Sequence, residues 1–333
     1  MKKLLILCVL LSFFAAPLAA QNTRPTSTHT QQALNTFRLA QDPQTTFAAA
    51  AQLVKNPPEK VYEPALLNQI ISAADPLKMA FSAIILTAMG SVYEELIPLL
   101  QDTLQTTDPV LRAYGAGAYG LVNPADKTHT QDVVRLYIFD PAFAQRAMNM
   151  LSADAKDQFN ILKKAATAPD PQVRGAAAAW LGSLHTPEAL ALLTKRAKKE
   201  TEVTVQTQLA IALAANPDVS LPQATEGLKL SYKKPAATTY ALALAFMTGN
   251  SVSALKTALL STDANQRINA LRAAAYMAGI LSNPDAFAYT SDRAFDTHLL
   301  KGLIPQISAL AKNGSKDEQT YAQNALSQIE KLM

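Results

Sequence analysis

Apolar residues recur along this chain in short runs with helical spacing. Tyr93-Glu-Glu-Leu-Ile-Pro-Leu-Leu100 and Pro187-Glu-Ala-Leu-Ala-Leu-Leu-Thr194 place them three and four apart, which predicts amphipathic helices of about three turns. Alternating with these are runs of small residues, Gly175 to Ala179 and Ala273 to Ala275 among them, which predict helices that neighbours can approach closely. A polar turn separates the two kinds. Its clearest forms are Asp108-Pro-Val-Leu-Arg112 and Asp170-Pro-Gln-Val-Arg174. Asp accepts hydrogen bonds from the unpaired amides at a helix start, and Pro fits the first helical position, where its missing N–H costs nothing. The proline therefore marks a beginning rather than a break.

The turn returns at a nearly constant interval. Anchors at Asp42, Asp75, Asp108, Asp140, Asp170, Thr201, Lys234 and Asp263 are separated by 33, 33, 32, 30, 31, 33 and 29 residues. Such a period predicts a repeat array with the unit helix A, turn, helix B. No single unit buries both of its faces, so the units must stack, and one continuous core grows along the array. After Asp263 the rhythm fails. The stretch 282–294 reads as an irregular insertion, and 295–333 as a final helical pair, about Phe295 to Lys312 and Lys316 to Leu332, whose polar outer positions suit a terminal cap. Residues 21–41 form a polar lead passing into the first helix, and 42–281 hold about eight repeats.

Composition sharpens this reading. Hydrophobic residues make up 49% of the chain but aromatic ones only 7%, and alanine dominates the apolar set, which suits packed helices better than sheets. The N-terminus, Met1-Lys-Lys followed by apolar residues 4–14 and then Ala15-Ala-Pro-Leu-Ala-Ala20, has the order of a secretory signal cut after Ala20. The run is shorter than the roughly 20 apolar residues of a membrane span, so no span is expected after its removal. Cys8, the only cysteine, sits inside that run, too early for a lipoprotein signal. The expected mature chain thus has neither disulfide nor thiolate chemistry. Net charge falls from +4 to +2 without Lys2 and Lys3, which gives no ground for a nucleic-acid partner.

The units at Asp108, Asp170 and Asp263 resemble short HEAT-like repeats, including the alanine-rich type of phycobilisome-lyase-like proteins. The likeness rests on Asp170-Pro-Gln-Val-Arg174 with its alanine-rich helix and Gly182, on Asp108 to Gly120, and on Asp263 to Gly279 with Arg267. The resemblance implies an all-α, right-handed α-solenoid, a superhelical stack of two-helix repeats with a C-terminal helical cap. It further implies a structural polar ladder in which Asp108, Asp170 and Asp263 pair with Arg112, Arg174 and Arg267. Other units depart from the pattern: the one at Asp42 has no Arg, the one at Asp75 offers Lys78, and Thr201 and Lys234 replace the Asp. The Trp-Leu-Gly-Tyr pattern of tetratricopeptide repeats, which have a similar period, is missing.

Motifs with chemical meaning are few. Gly115-Ala-Gly117-Ala-Tyr-Gly120 matches a dinucleotide fingerprint but lies inside a B helix with no strand before it, so close helix packing is the expected role. Ser231 to Lys234 and Ser253 to Lys256 match Ser-x-x-Lys without the companion elements of penicillin-binding enzymes. His29, His129, His185 and His298 stand singly, so no zinc site is expected. No catalytic residue, cofactor or metal is assigned. Lys163, Lys164, Lys195, Arg196, Lys198, Lys199, Lys229, Lys233 and Lys234 fall near the ends of consecutive A helices. Cations there oppose the helix dipole, and if aligned they would form a basic stripe for an anionic envelope ligand. Aromatics on B helices include Tyr114, Tyr119, Trp180 and Tyr276, which would be contact residues if they point into a groove. The sequence is therefore read as an exported, non-enzymatic scaffold or adaptor for a protein partner in the bacterial cell envelope, periplasmic or secreted. A binder of anionic ligands is the first alternative, and a lyase-like or isomerase-like enzyme the second.

Overall fold

Each Asp-Pro turn starts a helix, and its capping chemistry is visible. In the computed structural model, which describes residues 27–72, 75–91, 93–290 and 298–332, Asp42, Asp75, Asp108, Asp140 and Asp170 each accept a first-turn backbone N–H at 2.8 to 2.9 Å. A proline follows each of them. Asp263 caps Asn265 N at 2.8 Å without a proline. Each such cap stabilises its helix by about 1 kcal/mol. The expected secretory signal, with Cys8, and part of the expected insertion lie outside the described residues.

The described secondary structure is all helical. In chain order the helices are α1 (Ser27–Leu39), α2 (Pro43–Lys55), α3 (Glu63–Ser72), α4 (Pro76–Ala88), α5 (Leu96–Leu104), α6 (Pro109–Val122), α7 (Thr130–Leu136), α8 (Pro141–Leu151), α9 (Ala155–Ala165) and α10 (Pro171–Ser183). They continue with α11 (Pro187–Ala197), α12 (Val203–Ala214), α13 (Pro217–Gly227), α14 (Pro235–Phe246), α15 (Gly249–Leu259), α16 (Ala264–Leu281), α17 (Pro284–Phe287), α18 (His298–Lys301), α19 (Ile304–Asn313) and α20 (Lys316–Glu330). Even numbers from α2 to α16 are the B helices and odd numbers from α1 to α15 the A helices, so eight pairs precede the insertion. The fold is the repeated stacking of short helix pairs, HEAT-like in its layering.

Two details differ from the sequence reading. The sixth turn starts its helix from Glu202 rather than Thr201. Capping there comes from one residue earlier still, because the Glu200 carboxylate accepts both Thr201 N, at 3.1 Å, and Glu202 N, at 3.0 Å. Second, the helix expected from Phe295 is divided: α18 is one short turn, and α19 begins only at Ile304.

The chain divides into two compact units, with the boundary in sequence between Ala165 and Ala166. In the N-terminal unit α2, α4, α6 and α8 pack in succession, and α8 also reaches back to α2. The inner side of this layer is filled by aromatic rings. Phe47 meets Phe81 at 5.3 Å and Tyr114 at 5.9 Å between centroids, and Tyr114 stacks on Phe143 at 6.3 Å. One ring from each of four B helices thus joins them into one core, each pair adding about 0.5–1.5 kcal/mol beyond its buried area.

In the C-terminal unit the B helices α10, α12, α14 and α16 stack in order, and α20 packs directly on α16. The insertion after Leu281 therefore interrupts the sequence but not the layer. α20 opens with a full capping box, Ser315 to Glu318, so the last pair is built as a further repeat. Small residues set the spacing within the layer. A Cβ added at Gly182 would lie 2.8 Å from Ala212 Cα, and one at Gly227 would lie 2.2 Å from the Tyr240 ring.

Candidate functional site

The glycine motif of α6 is a packing device, as its position in a B helix implied. A Cβ at Gly115 would fall 1.7 Å from Thr103 Oγ1 on α5, and one at Gly117 would fall 2.5 Å from Leu136 on α7. These glycines face protein, and a pyrophosphate has no room beside them. The histidines are dispersed, and among the described residues no group of three or more His, Cys, Asp or Glu is placed to hold a metal ion.

The polar ladder exists, with different rungs from those the resemblance implied. Arg112 bonds Asp132 at 3.1 Å, Arg174 grips both oxygens of Glu200 at 2.9 and 3.0 Å, and Arg267 bonds Glu318 at 2.5 Å. In each case the acid belongs to the following repeat. Each guanidinium also donates backward to the carbonyl six residues earlier: Thr106 O at 3.1 Å, Ala168 O at 3.0 Å and Ser261 O at 2.6 Å. The turn aspartates Asp108, Asp170 and Asp263 cap their own helices, and the Asp170 charge also helps to raise the Arg174 pKa. The correction has a geometric reason. The Arg is the fourth residue of helix B, one turn inward, where its long side chain spans the inter-repeat gap while the short Asp stays at the helix end.

The same fourth position holds further side chains that reach back to their own turn, without a bond to the next repeat. Gln206 donates to Glu200 O at 2.9 Å, and Gln319 to Gly314 O at 3.0 Å. Aligning B helices on their first residues would have found both. Glu200 was hidden among lysines, yet its side chain is only 3% exposed. Burial pushes its carboxyl up, but the Arg174 guanidinium and the amides of Glu202 and Thr201 outweigh this and hold it below the ordinary carboxylate value. Glu318 follows the same balance with Arg267 and Ser315. A cavity of about 10 Å³, the size of one water, lies beside Arg174, Arg196 and Glu200.

Buried charge in the N-terminal unit has the opposite sense. Asp140 is 2% exposed, its Oδ1 caps Phe143 N, and its Oδ2 has no hydrogen-bond partner. Burial raises its pKa against the pull of Phe143 N, Lys55 and Arg146. Burial together with the nearby Asp140 charge also raises that of the Tyr114 phenol. A group whose folded pKa is raised contributes stability fully present below its unfolded value, near 3.8, and lost as pH rises through the folded one. Asp140→Asn, which keeps the capping oxygen, should therefore cost under about 1 kcal/mol at neutral pH and gain on the wild type as pH rises from about 4, whereas Asp140→Ala should cost about 1–2 kcal/mol. Hydrogen exchange of α8 amides across this pH range checks both, and a larger loss for the Asn than for the Ala variant would refute the assignment.

Of the four aromatic groove candidates, Tyr114, Tyr119 and Trp180 are buried. Tyr276 keeps partial exposure, with the Arg272 guanidinium 5.9 Å from its ring centre. It lies on a partly exposed stripe of its helix. In the C-terminal unit α12 keeps Thr204, Gln208 and Ile211 partly exposed, and α16 keeps Arg272, Tyr276 and Gly279. Each set recurs three or four apart, so each helix shows one stripe. Between them α14 is buried along its length except at Pro235 and Thr238, and Arg272 reaches across to Thr238 Oγ1 at 2.5 Å. Two mixed polar and apolar stripes therefore flank a covered, alanine-rich floor.

The cations of the expected stripe divide. Lys163 and Lys164 end α9 in the N-terminal unit. Arg196 lies 3.5 Å from Glu200, and Lys229 pairs with Glu226 at 2.7 Å. Lys195, Lys198, Lys199, Lys233 and Lys234 are exposed, with Lys233 5.6 Å from the Tyr232 ring centre.

A family model described as HEAT repeats matches residues 136–214. No curated protein matches the chain. Among solved structures, the chain is similar to an engineered protein of the Northeast Structural Genomics Consortium at 18% identity, covering 91% of this chain and 97% of that one with a TM-score of 0.23. It is also similar to the complex of CpcE and CpcF of phycocyanin lyase from Nostoc sp. PCC7120 at 17% identity, covering 96% and 97% with a TM-score of 0.26.

Proposed function

We propose that the chain is an exported, non-enzymatic scaffold or adaptor of the bacterial cell envelope that holds a protein partner on the B-helix face of its C-terminal unit. The observation that carries this is the pair of stripes on α12 and α16, where Gln208, Ile211, Arg272 and Tyr276 keep partial exposure on helices otherwise locked into the layer. Tyr and Arg are the side chains most often found as interface anchors, and a pre-ordered surface loses little entropy on binding. Helical-repeat stacks act in this way as extended binding surfaces. The leader 1–20 supports delivery across the inner membrane.

A photo-crosslinking residue placed at Gln208 or Gly279 tests this directly. Gly279 suits the purpose because nothing lies within 4 Å of an added Cβ. Both positions should give the same discrete crosslinked species in cells, and the exposed A-helix position Glu188 should give none. Equal yield from Glu188, or none from either stripe, would overturn the reading. Export is tested separately by the N-terminal residue of the purified protein, expected at Gln21.

A further inference from the structure

The turn edge of the C-terminal unit carries a second surface, independent of the stripes on α12 and α16. Every B helix of this unit starts at its A-to-B turn, and hydrogen bonds link several of these turns to neighbours along the same edge. Arg174 reaches Glu200 in the next turn. The segment between α13 and α14 then crosses two further repeats: Tyr232 N donates to Asn265 Oδ1 at 3.3 Å, and Tyr232 Oη donates to Asp317 Oδ2 at 2.5 Å. Buried Asn269 fixes the same segment by donating to Leu228 O and Leu230 O at 2.9 and 2.8 Å.

Charge on this edge is one-sided in what it shows to solvent. Its carboxylates are mostly occupied: Glu200 by Arg174, Glu226 by Lys229, Asp263 by the α16 cap, Asp317 by Tyr232 and Glu318 by Arg267. Glu202 stays exposed. Against it stand Lys195, Lys198, Lys199, Lys233, Lys234 and Lys256, all exposed. Two large apolar side chains stand among these lysines, Val203 at 53% and Leu260 at 68% exposure. Val203 opens α12 four residues after Lys199, and Leu260 closes α15 four residues after Lys256.

We propose that this edge is a docking surface for an anionic phospholipid bilayer. An acidic protein segment would need only the lysines. A bilayer surface also accepts the two aliphatic side chains, which enter the boundary between headgroups and acyl chains while the lysines meet lipid phosphates. The contact is peripheral, since no helix among the described residues is long and apolar enough to cross a membrane. It leaves the stripes on α12 and α16 available to a protein partner.

Sedimentation of the chain with vesicles tests the proposal. Vesicles of equimolar phosphatidylcholine and phosphatidylglycerol should bind it far more tightly than pure phosphatidylcholine, and binding should weaken with salt. Each lysine near an anionic leaflet is worth about fivefold in affinity, so the combined Lys198→Gln, Lys199→Gln, Lys233→Gln and Lys234→Gln variant should bind about a hundredfold or more weakly. Val203→Ser with Leu260→Ser should reduce the binding that persists at high salt, where charge is screened. The chain is used as it is purified, from Gln21, because Lys2, Lys3 and the apolar run 4–14 of the leader would themselves favour anionic vesicles. Equal binding to both vesicle types, or an unchanged quadruple variant, would overturn the proposal. So would capture of polyglutamate through the same lysines without vesicle binding, which would assign the edge to an acidic protein. None of these outcomes bears on crosslinking from Gln208 and Gly279, so the two readings fail separately.

Discussion

Gly182→Ala is expected to destabilise the C-terminal unit by about 2–3 kcal/mol, although alanine is the better helix former by up to about 1 kcal/mol. The added Cβ would lie 2.7 Å from Ala212 Cβ, 2.8 Å from Ala212 Cα and 3.2 Å from Ala212 O. Two of those atoms are backbone, so no rotamer change relieves the overlap. α10 and α12 must separate, and because the layer is continuous the displacement loads the α12–α14 contact as well. Gly175→Ala in the same helix provides the control: its Cβ would meet Gln208 Cγ at 3.5 Å, ordinary contact, so a gain of about 0.5–1 kcal/mol is expected there. Trp180 is the only tryptophan, is 2% exposed, and lies on α10 two residues from Gly182. Its fluorescence during urea unfolding therefore reports the C-terminal unit specifically. Equal effects of the two substitutions would show that helix propensity, and not the approach of α12, governs this position.

The contrast between these glycines shows how far the sequence could be read. The repeat period, the order of A and B helices and the Asp-Pro caps were all legible, because each depends on local chemistry within a few residues of the turn. Asp42, Asp75, Asp108, Asp140, Asp170 and Asp263 cap their helices as a local rule requires. The ladder partners were not legible. Arg112, Arg174 and Arg267 find their acids 20, 26 and 51 residues away, and the last distance includes an insertion that the stacking simply passes over. Which aromatic faces solvent was equally hidden. Tyr114 and Tyr276 both lie on alanine-rich B helices, but the first meets Phe47, Phe81 and Phe143 from neighbouring repeats whereas the second meets a guanidinium of its own helix. Local sequence sets each helix, and the rotation of its neighbours decides what it shows.

That dependence on neighbouring repeats makes the ladder the other position of large expected effect. Arg174→Met should cost about 2–4 kcal/mol at neutral pH, because it strands a carboxylate that is 3% exposed and leaving one partner of a buried pair is what makes such losses large. The remaining donors, Thr201 N, Glu202 N and Arg196 at 3.5 Å, keep the loss from being larger. The pH dependence separates this account from simple loss of packing. In the wild type Glu200 has a folded pKa below its ordinary 4.5, so its contribution is fully present above that value and disappears as pH falls through the folded pKa. Without Arg174 the burial that already pushes this carboxyl up is no longer opposed by the guanidinium, and its folded pKa rises. The difference between wild type and variant should therefore shrink as pH is lowered from 7 toward 4, and adding Glu200→Gln to the variant should recover about 1–2 kcal/mol at neutral pH by removing the stranded charge. Urea midpoints from Trp180 fluorescence across that range decide it. A loss that is constant with pH, with no recovery in the double variant, would mean that Arg174 acts through the packing of its alkyl stem and its bonds to Ala168 O and Pro169 O, and that its pairing with Glu200 contributes nothing to the stack.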